Sequence, residues 1–457
     1  MLASMQPAAS QDVSYTSPVS GRPERPWNAP RPSPALMWAL GIVNRWLLFG
    51  LPVLRRIPFV RDLPFVHGHF WLHSIDLPAV DRATLVSAVN PGTVAFLGPN
   101  HPEFGADWLI DKELSTYVAP RMASWADRGI VAAAPKFWAM NNLVANDGGE
   151  DAKEYSVGWA GRGEGVLLHP EGSVRWTNDA VQSLYPGIAQ MALKAADRFD
   201  APVNIVPIVW KYHFVGDISI ALLREMHLIE RGLHLPVGDR SSVAARFHSV
   251  QVNVLERQMQ HFGYEEIASS DDFFERQLAF QRSLVERLES RHSVESSPDL
   301  DKRVARLASA VRRMLAQSKT DSSPGAFELR MQMKRDLAMA EEAKRLGEFS
   351  ADVYGTPVLT QEQMSESLKR IRDRLMRNGW RNTIANMLPR PLGPRVVHVA
   401  VPKPLRVMKN EASSLGDYER RLLVLARMRM QRALDEINVR IAPDVGRFAH
   451  ANPFVEV

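Results

Sequence analysis

The stretch "TVAFLGPNHPEFGADWLID" runs from Thr93 to Asp111. Its first part, "TVAFLG", is a short apolar run closed by Gly and Pro, the pattern of a buried strand. A polar turn with His101, Pro102 and Gly105 follows, and "ADWLIDKELSTYV" then takes helical spacing. The pattern returns in "GVLLHPEGSVRW", Gly165 to Trp176, where a second apolar run ends in a Pro- and Gly-containing turn with a carboxylate. Around these lie "GIVAAA", a helical "KFWAMNNLVAN", a helical "PGIAQMALKAADRF" and the strand "VNIVPIVW". Strands alternating with helices predict an α/β fold, a mostly parallel sheet flanked by helices. Sites in such sheets lie beyond the carboxyl ends of strands. His101 and Glu171 both fall there, so the two turns are expected to share one crevice.

The 457 residues suffice for about two or three units, and an apolar share of 45% is ordinary for a globular chain. There is no cysteine, which excludes disulfides, thiolate metal sites and a Cys nucleophile. A net charge of +5 and a pI near 9.4 favour anionic partners such as phosphates, CoA or lipid headgroups. Residues 1–34 are rich in Pro and Ser and lack a secretory pattern; they are expected to be a disordered tail.

Residues 35–60, "ALMWALGIVNRWLLFGLPVLRRIPFV", are long enough to span a bilayer. Arg45 at the centre would cost about 2.5–3.5 kcal/mol, and Pro52 breaks a helix. Trp38, Trp46, Arg55 and Arg56 fit a helical segment on a membrane surface instead. The α/β core is expected over 61–215. Residues 216–392 read as successive helices, a large helical insertion. In 393–457, "RVVHVAVPKPLRV" returns to the core as a strand and a last helix follows. The alternative is a separate C-terminal domain.

His101 and Asp107 have the chemistry of a general base and its orienting carboxylate. A regular helix would not align them, since six steps leave them roughly 120° apart. Pro102 and Gly105 permit an irregular turn that brings them together. In "HPEGSVRW", backbone N–H groups of the Glu171–Gly172 turn suit an anion, and Arg175 suits a phosphate. Taken alone, capping residues and an ordinary βα turn are the more common explanation of both stretches.

Four blocks in order resemble the glycerolipid acyltransferase family, typified by 1-acylglycerol-3-phosphate acyltransferase. They are Asn100-His101 with Asp107; His169-Pro170-Glu171-Gly172-Ser173 with Arg175; "YPGIAQMALKAA"; and "IVPIVW". "VVHVAVPKPL" resembles the family's closing strand. Both charged motifs carry one residue more than the family's. The resemblance implies an acyltransferase that moves a fatty acyl group from acyl-CoA or acyl carrier protein to a hydroxyl of a lysophospholipid or related lipid. It casts His101 as the base and Asp107 as its orienting residue. Glu171, Gly172 and Ser173 would shape the acceptor site, with Arg175 near phosphate. No cofactor is implied, and the expected location is cytoplasmic and peripheral on the membrane. The second hypothesis is a non-catalytic lipid- or acyl-chain-binding protein on the same fold; a third is transfer to a non-lipid acceptor.

Other signals are weaker. His67, His69 and His73 suit polar tips beside aromatics better than a metal site. "GRGEG", Gly161 to Gly165, precedes a strand and so lacks the logic of a phosphate cradle. In "KRVARLASAVRRML", Val304, Leu307, Ala308 and Val311 form an apolar stripe, so its basic residues read as a solvated face and nucleic acid is not an expected partner. No Gly-x-Ser-x-Gly elbow is present.

Overall fold

The computed structural model describes residues 29–54, 57, 60, 64–147, 149–172, 174, 176–264, 270–294, 297, 299–318, 325–376, 389–409 and 414–455. Most of the expected N-terminal tail, Arg55, Arg56, Ser173 and Arg175 lie outside the described residues.

Among the described residues, eight strands form one mixed sheet. In chain order they are β1 (Leu72–Asp76), β2 (Val94–Pro99), β3 (Ala123–Ala126), β4 (Leu143–Ala145), β5 (Val166–Leu167), β6 (Val203–Phe214), β8 (Arg395–Ala400) and β9 (Leu405–Val407). β7 (Val358–Leu359) and β10 (His450–Ala451) pair separately. The order across the main sheet is β1-β8-β6-β2-β5-β3-β4, with β9 also on β6. Pairing is parallel except where β8 and β9 run antiparallel to β6. The architecture is α/β, with a mostly parallel sheet flanked by helices.

Strand alternation sorts the core into two layers. Val94, Phe96, Val203 and Ile205 pack under helices Gly149–Ala160 and Gly187–Arg198. Ala95, Leu97, Val206, Ile208, Trp210 and Tyr212 face the other way, against helices Ala79–Ala88 and Ala106–Ser115 and Leu48 of helix Pro34–Phe49. The long helix Leu415–Gly446 covers Val209 on the first face.

One local expectation changes. "KFWAMNNLVAN" is not one helix: the helix ends at Met140, and Leu143–Ala145 is a strand. The break is Asn142, at φ 58, a left-handed conformation that Asn tolerates. Its amide donates to the Arg121 carbonyl at 2.8 Å and accepts from the Tyr155 hydroxyl at 2.6 Å, which fixes the turn. "GIVAAA", given no element from sequence, places Gly129–Ala133 in the short helix Arg128–Ala133, and the strand of that region is the preceding Ala123–Ala126.

Between β6 and β8 the chain forms helices Ser219–Leu233, Val243–Phe262, Phe273–His292, Leu300–Gln317, Ala326–Gly347 and Gln361–Leu375. They share a hydrophobic core of their own, which includes Leu222, Phe247, Phe280, Leu307 and Leu368. Helix Gln361–Leu375 joins this layer to the sheet. Its buried Gln361 and Glu362 accept the backbone N–H groups of Ile218 and Phe214 at 3.0 and 2.8 Å.

Among the described residues no helix is long and apolar enough to cross a membrane. Helix Pro34–Phe49 is held to helix Ala106–Ser115 by polar contacts. Asn44 donates to the Leu109 carbonyl at 2.9 Å, and Arg45 makes a bidentate pair with Glu113. Gly50, at φ 63, ends the helix before Pro52 is reached. The His67 ring lies against Trp71 and the His69 ring against Phe70.

Candidate functional site

β2 and β5 are parallel neighbours with Leu97 opposite Leu167. His101 follows the end of one and His169 the end of the other, so both emerge at the same edge. The two rings stack, with centroids 4.0 Å apart and planes 16° from parallel. Asn100 fixes the first turn: its amide exchanges hydrogen bonds of 3.0 and 2.9 Å with the backbone of Trp210, as an extra rung of strand pairing with β6.

Asp107 sits in the first turn of helix Ala106–Ser115, entered through Gly105 at φ 82. That left-handed residue, easy only for Gly, turns the chain so that His101 and Asp107 meet despite their spacing. His101 Nδ1 lies 2.9 Å from Asp107 Oδ2. The same oxygen accepts the Glu103 N–H at 2.8 Å; Oδ1 accepts from Trp210 Nε1 at 3.0 Å and the Tyr212 hydroxyl at 2.6 Å. Four donors fill the acceptor capacity of an ionised carboxylate. Nδ1 of His101 is therefore the protonated nitrogen, and Nε2 keeps its lone pair. The His101 side chain remains 17% exposed, while Asp107 is fully buried.

His169 makes a second pair. Its Nδ1 lies 2.9 Å from the Asn100 carbonyl and its Nε2 2.9 Å from Asp111 Oδ2. A carbonyl only accepts, and so does a carboxylate, so this geometry calls for a doubly protonated ring. Burial opposes that charge, but the Asp111 carboxylate, by charge and hydrogen bond, raises His169 to about 9. Burial, and then the cation on His169, hold His101 well below the usual histidine range. Burial also pushes Asp107 up to about 7, against the His169 charge and the hydrogen bonds from Tyr212 and Glu103, so the ionised form that accepts from four donors is the one that prevails above that pH. The result is a neutral imidazole lying on a cationic one.

The two turns are joined directly. Glu171 Oε2 accepts the His101 backbone N–H at 3.1 Å, and Oε1 accepts the Gln182 N–H at 3.0 Å. Glu171 thus braces the backbone that carries the base. Gly172 has φ 71, and a Cβ there would lie 2.7 Å from the Tyr185 ring, so both conformation and space call for Gly. Ser173 and Arg175 lie outside the described residues.

Sequence reasoning gave no role to His169, Asp111, Trp210 or Tyr212. A usable signal existed in Asp107 and Asp111, which are four apart and so share one helix face. Nor did it connect Glu103 with distant cations. Lys369, from helix Gln361–Leu375, lies 2.5 Å from Glu103 Oε1, and Arg395, from β8, lies 2.6 Å from Oε2. Burial would raise Glu103, but the charges of Arg395 and Lys369 overrule it and lower it. The turn behind His101 is therefore tied to the helical layer and to the returning strand.

No protein-family model matches the chain, and no curated protein matches it.

Proposed function

We propose that the chain is an acyltransferase, moving a fatty acyl group from an acyl thioester to a hydroxyl of a lysophospholipid or related lipid. The observation that carries this reading is His101: Nδ1 is committed to a buried carboxylate, the ring is held neutral, and part of it is open to solvent. Such an imidazole is a poised general base.

In this reading, His101 Nε2 takes the proton of the acceptor hydroxyl as its oxygen attacks the thioester carbonyl. The ring becomes an imidazolium that Asp107 stabilises. Collapse of the tetrahedral intermediate breaks the C–S bond, and the departing thiolate takes the proton back from Nε2. Atoms and charge balance with no further reactant. His169 stays charged throughout, so it keeps His101 unprotonated until the acceptor delivers its proton. Asp107, Trp210 and Tyr212 hold the ring's tautomer and plane.

The same reading has the chain working at a lipid surface. Trp38, Ile42, Val43, Trp46 and Val53 are all exposed on or beside the first helix, an apolar face suited to the headgroup boundary. Thiol release from acyl-CoA or acyl carrier protein, measured with a panel of lysolipid, other lipid and non-lipid acceptors, tests the reading. Turnover that depends on a lipid acceptor and is lost in His101→Ala is expected. Saturable lipid binding with no turnover by the wild type would favour a non-catalytic binder.

A further inference from the structure

Helices Pro34–Phe49 and Ala106–Ser115 touch through Asn44 and Arg45, and a groove of about 770 Å³ opens between them. That is within the size range of clefts that hold small ligands, roughly 300–1,000 Å³. Its wall is mainly apolar and includes Met37, Leu40, Leu47, Trp108, Leu109 and Val118. Gly41 also lines it, and a Cβ added there would meet nothing within 4 Å. The space is open where the helix is thinnest.

Among the described residues, one charged group in this wall has no hydrogen-bond partner. The ammonium of Lys112 is buried and makes no hydrogen bond; it lies 5.9 Å from the centre of the Trp108 ring. Burial lowers Lys112 to about 8, relieved only in part by the charge of Asp111. The other cations of the groove are engaged: Arg45 with Glu113, Arg121 with Glu164, and Arg162 over the Trp159 ring. A buried, unpaired ammonium is costly, and an anion brought to it would remove that cost. Among the described residues Lys112 is the one cation of the groove without such a partner, which suits a singly charged head, and the walls suit an alkyl chain.

We infer that this groove is a binding site for a long-chain fatty-acid anion, its chain along the apolar wall and its carboxylate on Lys112, whose flexible stem turns the buried ammonium toward the guest. His101, Asp107, His169 and Glu171 do not line the groove, so a guest held on Lys112 is not placed for reaction at His101. The site is thus distinct from the proposed acyl-transfer centre and does not depend on it. Trp38, exposed and part of the groove's rim, offers a route of entry from a lipid surface.

Titration calorimetry on the full chain near neutral pH, with dodecanoate and the uncharged dodecan-1-ol, tests the site. Dodecanoate is expected to bind about tenfold or more tightly than the alcohol, as a charge-assisted contact requires. Lys112→Met should bring dodecanoate down to the alcohol's affinity and leave the alcohol within about twofold. Gly41→Phe should fill the groove and abolish binding of both. If Lys112→Met does not fold, raising the pH to about 9.5 on the wild type serves instead: deprotonation of Lys112 must weaken dodecanoate and spare the alcohol. Equal affinity for the two probes, no binding of either, or unchanged binding by folded Gly41→Phe would overturn the inference.

Discussion

Replacing His169 by Phe keeps a ring beneath His101 and removes its charge. The stacked centroids are 4.0 Å apart. Two unit charges at about 4 Å repel by about 4 kcal/mol at an effective dielectric of about 20. At about 1.36 kcal/mol per tenfold, this sets a ceiling of about three pH units on the effect of His169 on its neighbour. Relaxation and solvent at the partly open ring reduce it, so an upward shift of about one to two pH units is expected for His101. Asp111 already favours a protonated His101 in the wild type; without His169 burial raises Asp111 further, so its pull weakens rather than grows. The double change His169→Phe, Asp111→Asn removes that contribution and should give a smaller shift of the same sign. The assay is an NMR titration of the imidazole carbons, with His101 assigned by its loss in His101→Ala; it requires no turnover. In any pH profile of acyl transfer the acid limb should move to higher pH, because a base with a higher pKa is protonated over more of the range. A His101 that titrates unchanged or lower in His169→Phe would refute the claim that a cation lies beneath the base.

Three further outcomes follow from the same geometry. Arg395→Met leaves Glu103 with Lys369 alone and should destabilise the fold by about 3 kcal/mol, the lower end for breaking a buried pair, as read by chemical denaturation. Since Glu103 is depressed in the folded state, the stabilisation is present above its ordinary range and lost as pH falls, so the gap between wild type and variant should close in acid. Gly172→Ala should cost about 1–2 kcal/mol from the left-handed backbone alone, seen as a lowered Tm, with more added by the Tyr185 contact. Changing Trp38 and Trp46 to Ser should weaken cosedimentation with anionic lipid vesicles by about tenfold or more, given the apolar area each indole presents, without lowering Tm.

The alternation of strands and helices was legible because each buried strand reads as a short apolar run closed by Gly or Pro. Leu143–Ala145 was not, since only Asn141 and the left-handed Asn142 separate it from the helix before. The burial of helix Gln361–Leu375 was also hidden. Its Gln361, Glu362, Glu366 and Arg370 are polar residue types, yet all are buried, because they satisfy backbone groups of the sheet and of the loop around Asn178. Hydrophobic periodicity carries no trace of polar groups buried for that reason. At the site, His101 and Asp107 could be named from residue type and order. His169 and Asp111 could not, because their role arises from β2 and β5 being neighbours, and that is a property of the sheet rather than of any one segment.

The central claim is that the neutral imidazole of His101 removes the acceptor's proton during attack on a thioester. Its most direct test counts products: thiol released and acylated acceptor formed, by wild type and by His101→Ala, with matched Tm values showing both are folded. The account predicts the two products in equal amounts from the wild type and a fall of about 10²–10⁴ in both for the variant. Equal turnover by His101→Ala, or thiol released without any acylated acceptor, would contradict it.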